Sequence, residues 1–495
     1  MDLAIALDSN ATGALHRQLY EELRRAILSG RLLPRQRIPS TRALAKSLGI
    51  SRTTVTQSYE QLLSEGYLQT LVGSGTFVSA QLPDDLLRST PVETAQKLAR
   101  SSLKLSKYGA GLAETDIPVI TEPDAPISFR YGRPALDRFP IQLWRKLLSR
   151  HCRSNLDWLD YATDPLGHKP LREAIARYLS RSRAIQCEPD QVMVANGTQQ
   201  ALHLVTRLLI DPGEAIAVEE PGYLRAQRTF LTQGARLLPV AVDESGLVVQ
   251  DLANYSTESI KLVYVTPSHQ FPTGAVLSLP RRLELLSWAQ QTGATIIEDD
   301  YDSEYRYGDR PIPALQGLDQ SDSVLYIGTF SKLLFPSLRI GYLVLPQSLI
   351  PVFTRAKWLA DRQSPLLEQC VLADFINEGY LERHIRQMRT HYDQHCRALV
   401  QALNFHLGER ATILGENAGI HLMVRLQTIL SDEEIVHCAA QVGVGMMSAQ
   451  PHYLKANHTG EFIFGYSELT EQQIEEGIRR LAQAIELTDE ISLPN

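Results

Sequence analysis

Cysteine is scarce in this chain: five in 495 residues, Cys152, Cys187, Cys370, Cys396 and Cys438, with no C-x-x-C pair among them. That spacing excludes a disulfide framework and a structural zinc site, and it fits a reducing cytoplasm. No apolar run approaches the roughly 20 residues that span a bilayer. Met1 to Asn10 lacks the basic start and apolar stretch of a secretion signal. Internal repeats and low-complexity tracts are absent too. The formal net charge is −7, so the whole molecule is no polycation, and a case for nucleic acid rests on local charge. What is present is a soluble globular composition, 44% apolar and 21% charged, at a length that suits about three domains.

Positive charge is concentrated near one end. Between Leu15 and Ala80 stand Arg17, Arg24, Arg25, Arg31, Arg35, Arg37, Arg42, Lys46 and Arg52 against Glu21, Glu22, Glu60 and Glu65, a local net of +5. Leu19, Leu23, Ile27 and Leu28 recur at helical spacing over Leu15–Ser29, and Gly30 stops the pattern. Ser40 is an N-cap for a helix over Thr41–Leu48, Gly49 ends it, and Ser51 caps a third helix over Arg52–Glu65. Two helices joined at a glycine form a helix-turn-helix. Tyr67–Leu71 and Thr76–Val78 read as short strands around Val72-Gly73-Ser74-Gly75, a wing. Arg52, Thr53 and Thr54 fall at the start of the third helix, where a recognition helix reaches base edges. Arg37, Arg42, Gly73 and Gly75 are placed for phosphates. The pattern is that of double-stranded DNA binding; the plainer alternative is a small helical domain that binds protein. Through Pro39-Ser40-Thr41-Arg42-Ala43-Leu44-Ala45 and Ser51-Arg52-Thr53-Thr54-Val55 it resembles the GntR-type winged helix-turn-helix.

Gln81–Pro126 carries Pro83, Pro91, Pro118, Pro123 and Pro126 and no sustained apolar period. It predicts a tether with one short helix near Val92–Leu105. The domains are therefore 12–80, a linker 81–126, and 127–495. From Ile127 onward helical and strand patterns alternate, which predicts an α/β domain with a mainly parallel sheet, where ligands bind beyond the carboxyl ends of strands. The strand candidates are Gln191–Ala195, Ala215–Glu219, Lys261–Thr266, Thr295–Glu298, Val324–Gly328 and Tyr342–Leu345. After the first, Gly197, Thr198 and Gln199 open a helix and offer backbone amides to an anion, or form an ordinary capped helix. After the second, a turn presents Tyr223, whose ring can stack on a flat cofactor. After the third comes a polar loop, Pro267 to Gly274, in reach of a ring edge.

The fourth strand ends in Asp299-Asp300-Tyr301-Asp302, and the fifth leads into Gly328-Thr329-Phe330-Ser331-Lys332, so Lys332 lies in a loop between two buried strands. A lysine in a low-dielectric pocket has a lowered pKa and forms a Schiff base with an aldehyde. Arg339 offers a two-pronged contact to a phosphate and Ser331 a hydroxyl. Together they point to pyridoxal 5'-phosphate; the bland reading is a solvated lysine and a surface arginine. That cofactor needs an anion against its pyridine nitrogen, for which Asp299 is the candidate, with Tyr301 toward the ring hydroxyl. A metal site or helix-capping acids are the alternatives, and no histidine lies among these carboxylates. His391 and His395 stand four apart on a predicted helix without a third ligand nearby, and no metal is expected there.

These strand-end motifs, in this order from about Ile127 to the C-terminus, resemble fold-type I enzymes of the aspartate aminotransferase superfamily. Behind a GntR-type winged helix they look like the MocR/GabR-type transcriptional regulators over nearly the full chain. The implied fold is an N-terminal α+β winged helix-turn-helix plus a C-terminal α/β fold-type I aminotransferase-like domain. The resemblance implies that Lys332 carries the cofactor as an internal aldimine, that Asp299 pairs with its ring nitrogen, that Tyr301 meets the ring hydroxyl and that Tyr223 stacks on the ring. Gly197, Thr198, Gln199, Ser331 and Arg339 hold the phosphate. It further implies a head-to-tail homodimer, with Tyr161–Gly167 resembling the loop that enters the partner's site. The usual Asn-Pro-Thr-Gly is here Gln270-Phe271-Pro272-Thr273-Gly274, leaving either His269 or Gln270 for the ring oxygen. Ile463 stands where aminotransferases hold a substrate carboxylate with arginine, while Arg225 resembles an effector contact of some regulators. The expected function is a regulator that senses an amine, an amino acid or the cofactor itself, bound to repeated DNA half-sites, with at most slow half-transamination. The alternative is an aminotransferase with an accessory N-terminal domain.

Overall fold

The computed structural model describes residues 7, 14–71, 73–84, 104–115, 125–153, 157–161, 164–255, 258–308, 312–455 and 459–492. By compactness the chain divides into two units, Met1–Lys104 and Leu105–Asn495. Among the described residues no helix is long and apolar enough to cross a membrane.

In the first unit, α1 (Leu15–Leu28), α2 (Thr41–Leu48) and α3 (Arg52–Ser64) precede a hairpin of β1 (Leu68–Leu71) and β2 (Gly75–Val78). The predicted caps form: Ser40 Oγ accepts from Ala43 N and Ser51 Oγ from Thr54 N, each at 3.2 Å. Gly49 closes α2 in the left-handed region at φ 67°, where a side chain would strain the turn. Leu19, Leu23, Leu44, Val55, Leu62 and Val78 are buried together, and each fully buried side chain of this size contributes roughly 1.5–3 kcal/mol. The hairpin is antiparallel, with Leu68 opposite Val78 and Leu71 opposite Gly75.

The helix predicted near Val92–Leu105 lies almost wholly outside the described residues. A helix is found just after it, α4 (Lys107–Glu114), capped by Ser106. The second unit is built on an eight-stranded sheet of β3 (Val192–Ala195), β4 (Ala215–Glu220), β5 (Arg236–Asp243), β6 (Gly246–Leu247), β7 (Ile260–Val265), β8 (Thr295–Asp300), β9 (Val324–Thr329) and β10 (Gly341–Val344), in the order β3-β10-β9-β8-β7-β4-β5-β6. The block from β9 through β8, β7 and β4 to β5 is parallel. Strand β10 runs antiparallel between β9 and β3. Most central strands are buried along their whole length, as strands covered on both faces must be. The sequence named six of these strands; β5 went unnamed because Pro239 and a half-buried pattern interrupt it.

A smaller sheet follows, β11 (Ala411–Leu414), β12 (His421–Leu426), β13 (Met447–Ser448) and β14 (Glu461–Gly465), in the order β11-β12-β14-β13. Its register pairs Met423 with Ile463 and Met447 with Ile463.

Candidate functional site

Because β4, β7, β8 and β9 are parallel, their carboxyl ends share one edge of the sheet. The antiparallel strand β10 begins at that edge, with Gly341 opposite both Thr329 and Ala195. Five sequence-distant loops therefore converge where Lys332 stands. Lys332 Nζ donates to the carbonyl of Gly132. A Cβ on Gly132 would lie 3.1 Å from that Nζ, so a side chain there would crowd the amine. Burial pushes the Lys332 pKa down to about 8 against the pull of Asp302 and Asp299, with Arg225 and Arg133 adding to the depression.

The three aspartates at the end of β8 have separate fates, which the alternation of a strand explains. Asp300 turns to the far face, where it pairs with Arg183 at 2.8 Å and accepts from Tyr326 Oη at 2.7 Å. Asp302, just beyond the strand, meets His269. Asp299 faces the site. Its Oδ2 accepts from the Tyr264 hydroxyl at 2.8 Å, while its Oδ1 is buried without a hydrogen-bond partner. Burial raises its pKa to about 7. A buried carboxylate oxygen with no donor is costly, and a protonated ring nitrogen is the kind of donor that removes the cost. Glu219, at the end of β4, is also pushed up to about 7 by burial, though Thr266 and Gln270 donate to it.

The anion cradle is made by β3 and the helix α5 (Thr198–Leu209) that follows. Gly197 precedes that helix at φ 79°, and a Cβ there would lie 2.9 Å from the Arg339 guanidinium. Arg339 itself adopts φ 53° and donates to the Asn196 carbonyl at 2.9 Å. Amides at a helix start beside a guanidinium form an anion site. The Gln199 side chain is tied to Thr229 Oγ1 at 2.5 Å, so the backbone amide is what Gln199 offers. Ser331 is half-buried, and its amide donates to Thr329 Oγ1. The loop is steadied from behind: Asp361 Oδ2 accepts from Asn196 Nδ2 and Gln200 Nε2, both at 2.7 Å, and Lys357 pairs with the other oxygen at 2.6 Å. The sequence did not single out Tyr264, Gly132, Asp361 or Arg183. Each is brought in by tertiary contact alone.

Gln270 and His269 separate clearly. Gln270 Nε2 donates to the carbonyls of Pro221 and Phe271, and its Oε1 accepts from Thr273. The side chain is spent on holding its own loop. His269 instead lies 3.0 Å from the Tyr301 hydroxyl through Nδ1. Tyr223 is half-buried, its ring 5.6 Å edge-on from Phe271. Arg225 is exposed, next to Tyr223 at the start of α6 (Leu224–Thr232). Ile463 is fully buried in an apolar cluster with Phe271, Met423 and Ala449, against which Tyr131, Tyr223 and Tyr301 pack. Beside it, Tyr131 Oη lies 3.1 Å from His452 Nε2, and burial holds His452 neutral with a pKa near 4.

The His391 and His395 rings lie 4.0 Å apart and tilted by 60°, with His395 Nδ1 3.2 Å from the Tyr466 carbonyl. Ligand-type atoms of His269, Asp302 and His421 do gather within 4.8 Å. His421 Nε2 donates to Pro272 O, and His269 Nδ1 is engaged by Asp302.

In the first unit Arg42, Arg52 and Thr53 are exposed. Thr54 is half-buried and held by the Ser51 cap, with hydroxyls 3.1 Å apart. Arg37 bridges to Phe77 of the wing, and its guanidinium lies 3.0 Å from where a Cβ on Gly75 would be. Gly73 is exposed at the hairpin tip with φ 78°. Arg37 thus adjoins the wing in space, although it stands 38 residues before Gly75 in the chain.

Residues 15–78 match the family of bacterial regulatory proteins described as gntR, and residues 157–481 match aminotransferase class I and II. The "Probable rhizopine catabolism regulatory protein MocR" of Rhizobium meliloti is 40% identical over 97% of this chain and 95% of its own. The "HTH-type pyridoxine biosynthesis transcriptional regulator PdxR" of Corynebacterium glutamicum is 30% identical over 98% of this chain and 99% of its own. Among solved structures, α-aminoadipate aminotransferase LysN from Thermus thermophilus, complexed with N-(5'-phosphopyridoxyl)-L-leucine, covers 76% of this chain and 97% of its own, with 28% identity and a TM-score of 0.71.

Proposed function

This chain belongs to the MocR-type regulators, a gntR-family DNA-binding domain joined to an aminotransferase class I and II domain, and from that premise we propose that it reads an amine at the sheet edge and answers at DNA. It is a DNA-binding transcriptional regulator whose cofactor is pyridoxal phosphate. Once bound, that cofactor supplies an aldehyde that trades one amine for another and a ring that withdraws electrons.

The observation that carries the reading is the convergence at one edge of an amine, an open carboxylate oxygen and an anion cradle. Lys332, with about a tenth of its amine uncharged at pH 7, takes the aldehyde end. Asp299 Oδ1 takes the ring nitrogen, Tyr301 the ring oxygen and Tyr223 the ring face. The amides of Gly197, Thr198 and Gln199, with Ser331 and Arg339, take the phosphate. An amine effector competes with Lys332 for one position, and the difference between the two occupied states shifts a domain equilibrium. Ile463 supplies no charge, so an effector carboxylate is met by Arg225 and not at Ile463. With the carboxylate-holding arginine missing, a standard α-amino acid is poorly oriented for proton transfer at Lys332, and transamination is slow.

Leu159 and Tyr161 expose 65% of their surface, and the Arg362 guanidinium lies 3.7 Å over the Tyr161 ring. We assign this segment to a head-to-tail homodimer, in which Tyr161–Gly167 of one protomer reaches the site of its partner. Two DNA-binding domains then prefer repeated half-sites in the cytoplasm. Footprinting of DNA selected by the purified protein tests this, and protection of one isolated half-site speaks against it. Rapid multiple turnover with a common amino acid and 2-oxo acid pair would promote the aminotransferase reading instead.

A further inference from the structure

His269 and Asp302 form a buried pair directly behind Tyr301, and nothing derived so far uses them. His269 is 2% exposed and Asp302 1%. His269 Nδ1 lies 3.1 and 3.0 Å from the two Asp302 oxygens and 3.0 Å from the Tyr301 hydroxyl. The other ring nitrogen, Nε2, is buried without a hydrogen-bond partner. The ring is therefore held through Nδ1 alone.

One nitrogen cannot serve both neighbours in the same way. Nδ1 carries either one proton or one lone pair. With Asp302 ionised, an acceptor-only group sits 3.0 Å away, and the proton must lie on Nδ1 and point to it. With Asp302 protonated, its O–H takes the Nδ1 lone pair. Either way the Tyr301 hydroxyl finds no acceptor on His269. His269 is its sole hydrogen-bond neighbour among the described residues, so its proton is left to point into the site. Tyr301 and Asp299, two residues apart, share the face on which Lys332 acts. The other charged or titratable groups toward Tyr301 are Asp300, Glu219 and His421. All the carboxylates among them raise its pKa, after burial, which is the largest cause, so Tyr301 stays a phenol.

We propose that His269 and Asp302 are a positioning pair that keeps the Tyr301 hydroxyl a proton donor toward the ring oxygen of the cofactor. The proposal rests on the cofactor placement given above. Asp302 matters by occupying Nδ1: without it, Nδ1 becomes a free acceptor and draws the tyrosine proton away. A ring oxygen that loses a donor holds its negative charge more tightly, and a nearby protonated nitrogen is then harder to deprotonate.

The test is a pH titration of the visible band of the cofactor-loaded full-length protein. Tyr301→Phe is expected to raise the midpoint by about one pH unit, a tenfold change in proton affinity. Asp302→Asn, whose carbonyl still accepts from Nδ1, removes only the charge that pulls the Lys332 pKa up and is expected to lower the midpoint. Asp302→Leu removes the same charge and also frees Nδ1, and is expected to sit above Asp302→Asn by at least half of the Tyr301→Phe rise. Adding His269→Ala to Asp302→Leu is expected to bring the midpoint back down, because the competing acceptor is gone. Equal midpoints in Asp302→Leu and Asp302→Asn, alongside a shifted Tyr301→Phe, overturn the proposal. Should Asp302→Leu not fold, nitrogen-15 NMR of histidine-labelled wild-type protein decides. A proton or donor hydrogen bond from Asp302 at His269 Nδ1 supports the pair, and a hydrogen bond from Tyr301 there overturns it. Absence of any visible band in the wild-type protein is a different result, and defeats the cofactor placement itself.

Discussion

Arg37, Arg42 and Arg52 stand exposed on a small unit, whereas Asp299, Asp300 and Asp302 are buried at one strand end. The two regions use charge in opposite ways. Exposed arginines keep their hydration until a polyanion arrives, so they need no partner in the folded chain and are bound by counterion release when DNA is present. Buried carboxylates must be matched within the fold. Asp300 has Arg183 and Tyr326, Asp302 has His269, and Asp299 has only Tyr264 on one of its two oxygens. Asp300 too keeps one buried oxygen, Oδ1, without a hydrogen-bond partner, but its other oxygen is paired with a guanidinium; in the large unit, then, the aspartate with no basic side chain in contact with it among the described residues marks the ligand. In the small unit, charge density does.

The comparison is broken most severely at Lys332. Lys332→Ala is expected to abolish the visible absorption of the purified protein while the small unit still binds DNA; a retained band would refute the assignment of the lysine. At the DNA end the effects are graded. Arg52→Ala is expected to cost about 1–3 kcal/mol at cognate sites and to relax specificity. Arg37→Ala is expected to weaken binding to all sequences and reduce the salt slope by about one. Titrations at several salt concentrations on cognate and random duplexes separate the two.

The contrast also has a pH signature. Only uncharged amine captures an aldehyde, and burial sets the Lys332 pKa to about 8, below the ordinary 10.5. As pH falls below 8 the uncharged fraction drops about tenfold per unit, and above 8 it saturates. Cofactor loading onto the apo-protein, followed by stopped flow, is therefore expected to rise up to about pH 8 and then level off. A rate still climbing toward 10.5 would place the lysine in water. The smallest expected effect is structural. Ser51→Ala removes the acceptor for Thr54 N and is expected to lower the stability of the small unit by about 1 kcal/mol, read from its denaturant midpoint.

The small unit was almost fully legible in the sequence because its signals are local. Ser40, Gly49 and Ser51 act on the next few residues, and the observed helix ends differ from the expected ones by at most one residue. The pairing of Arg37 with the wing was not local and went unseen. In the large unit the apolar strands and their chemical ends were legible for the same reason. Their partners were not. Tyr264 reads as one more apolar residue of a buried strand, Gly132 as a turn glycine, and His269 as one of two candidates for a ring contact. That His269 and not Gln270 lies against Tyr301 follows from where the Gln270 amide goes, and that is fixed by the carbonyls of Pro221 and Phe271. The strand β5 was hidden by Pro239. Ile463 stood out through resemblance alone, and its apolar neighbours Met423 and Ala449 follow from sheet register and packing.

The central claim is that occupancy at Lys332 is felt at the DNA. The direct measurement is the affinity of the full-length protein for its selected DNA, with and without an amine found to perturb the visible band, in wild type and in Lys332→Ala. The expected result is a change of several-fold in wild type, on the order of 1–3 kcal/mol of coupling, and none in Lys332→Ala. An equal change in both proteins, or no change in wild type while the band responds, would contradict it.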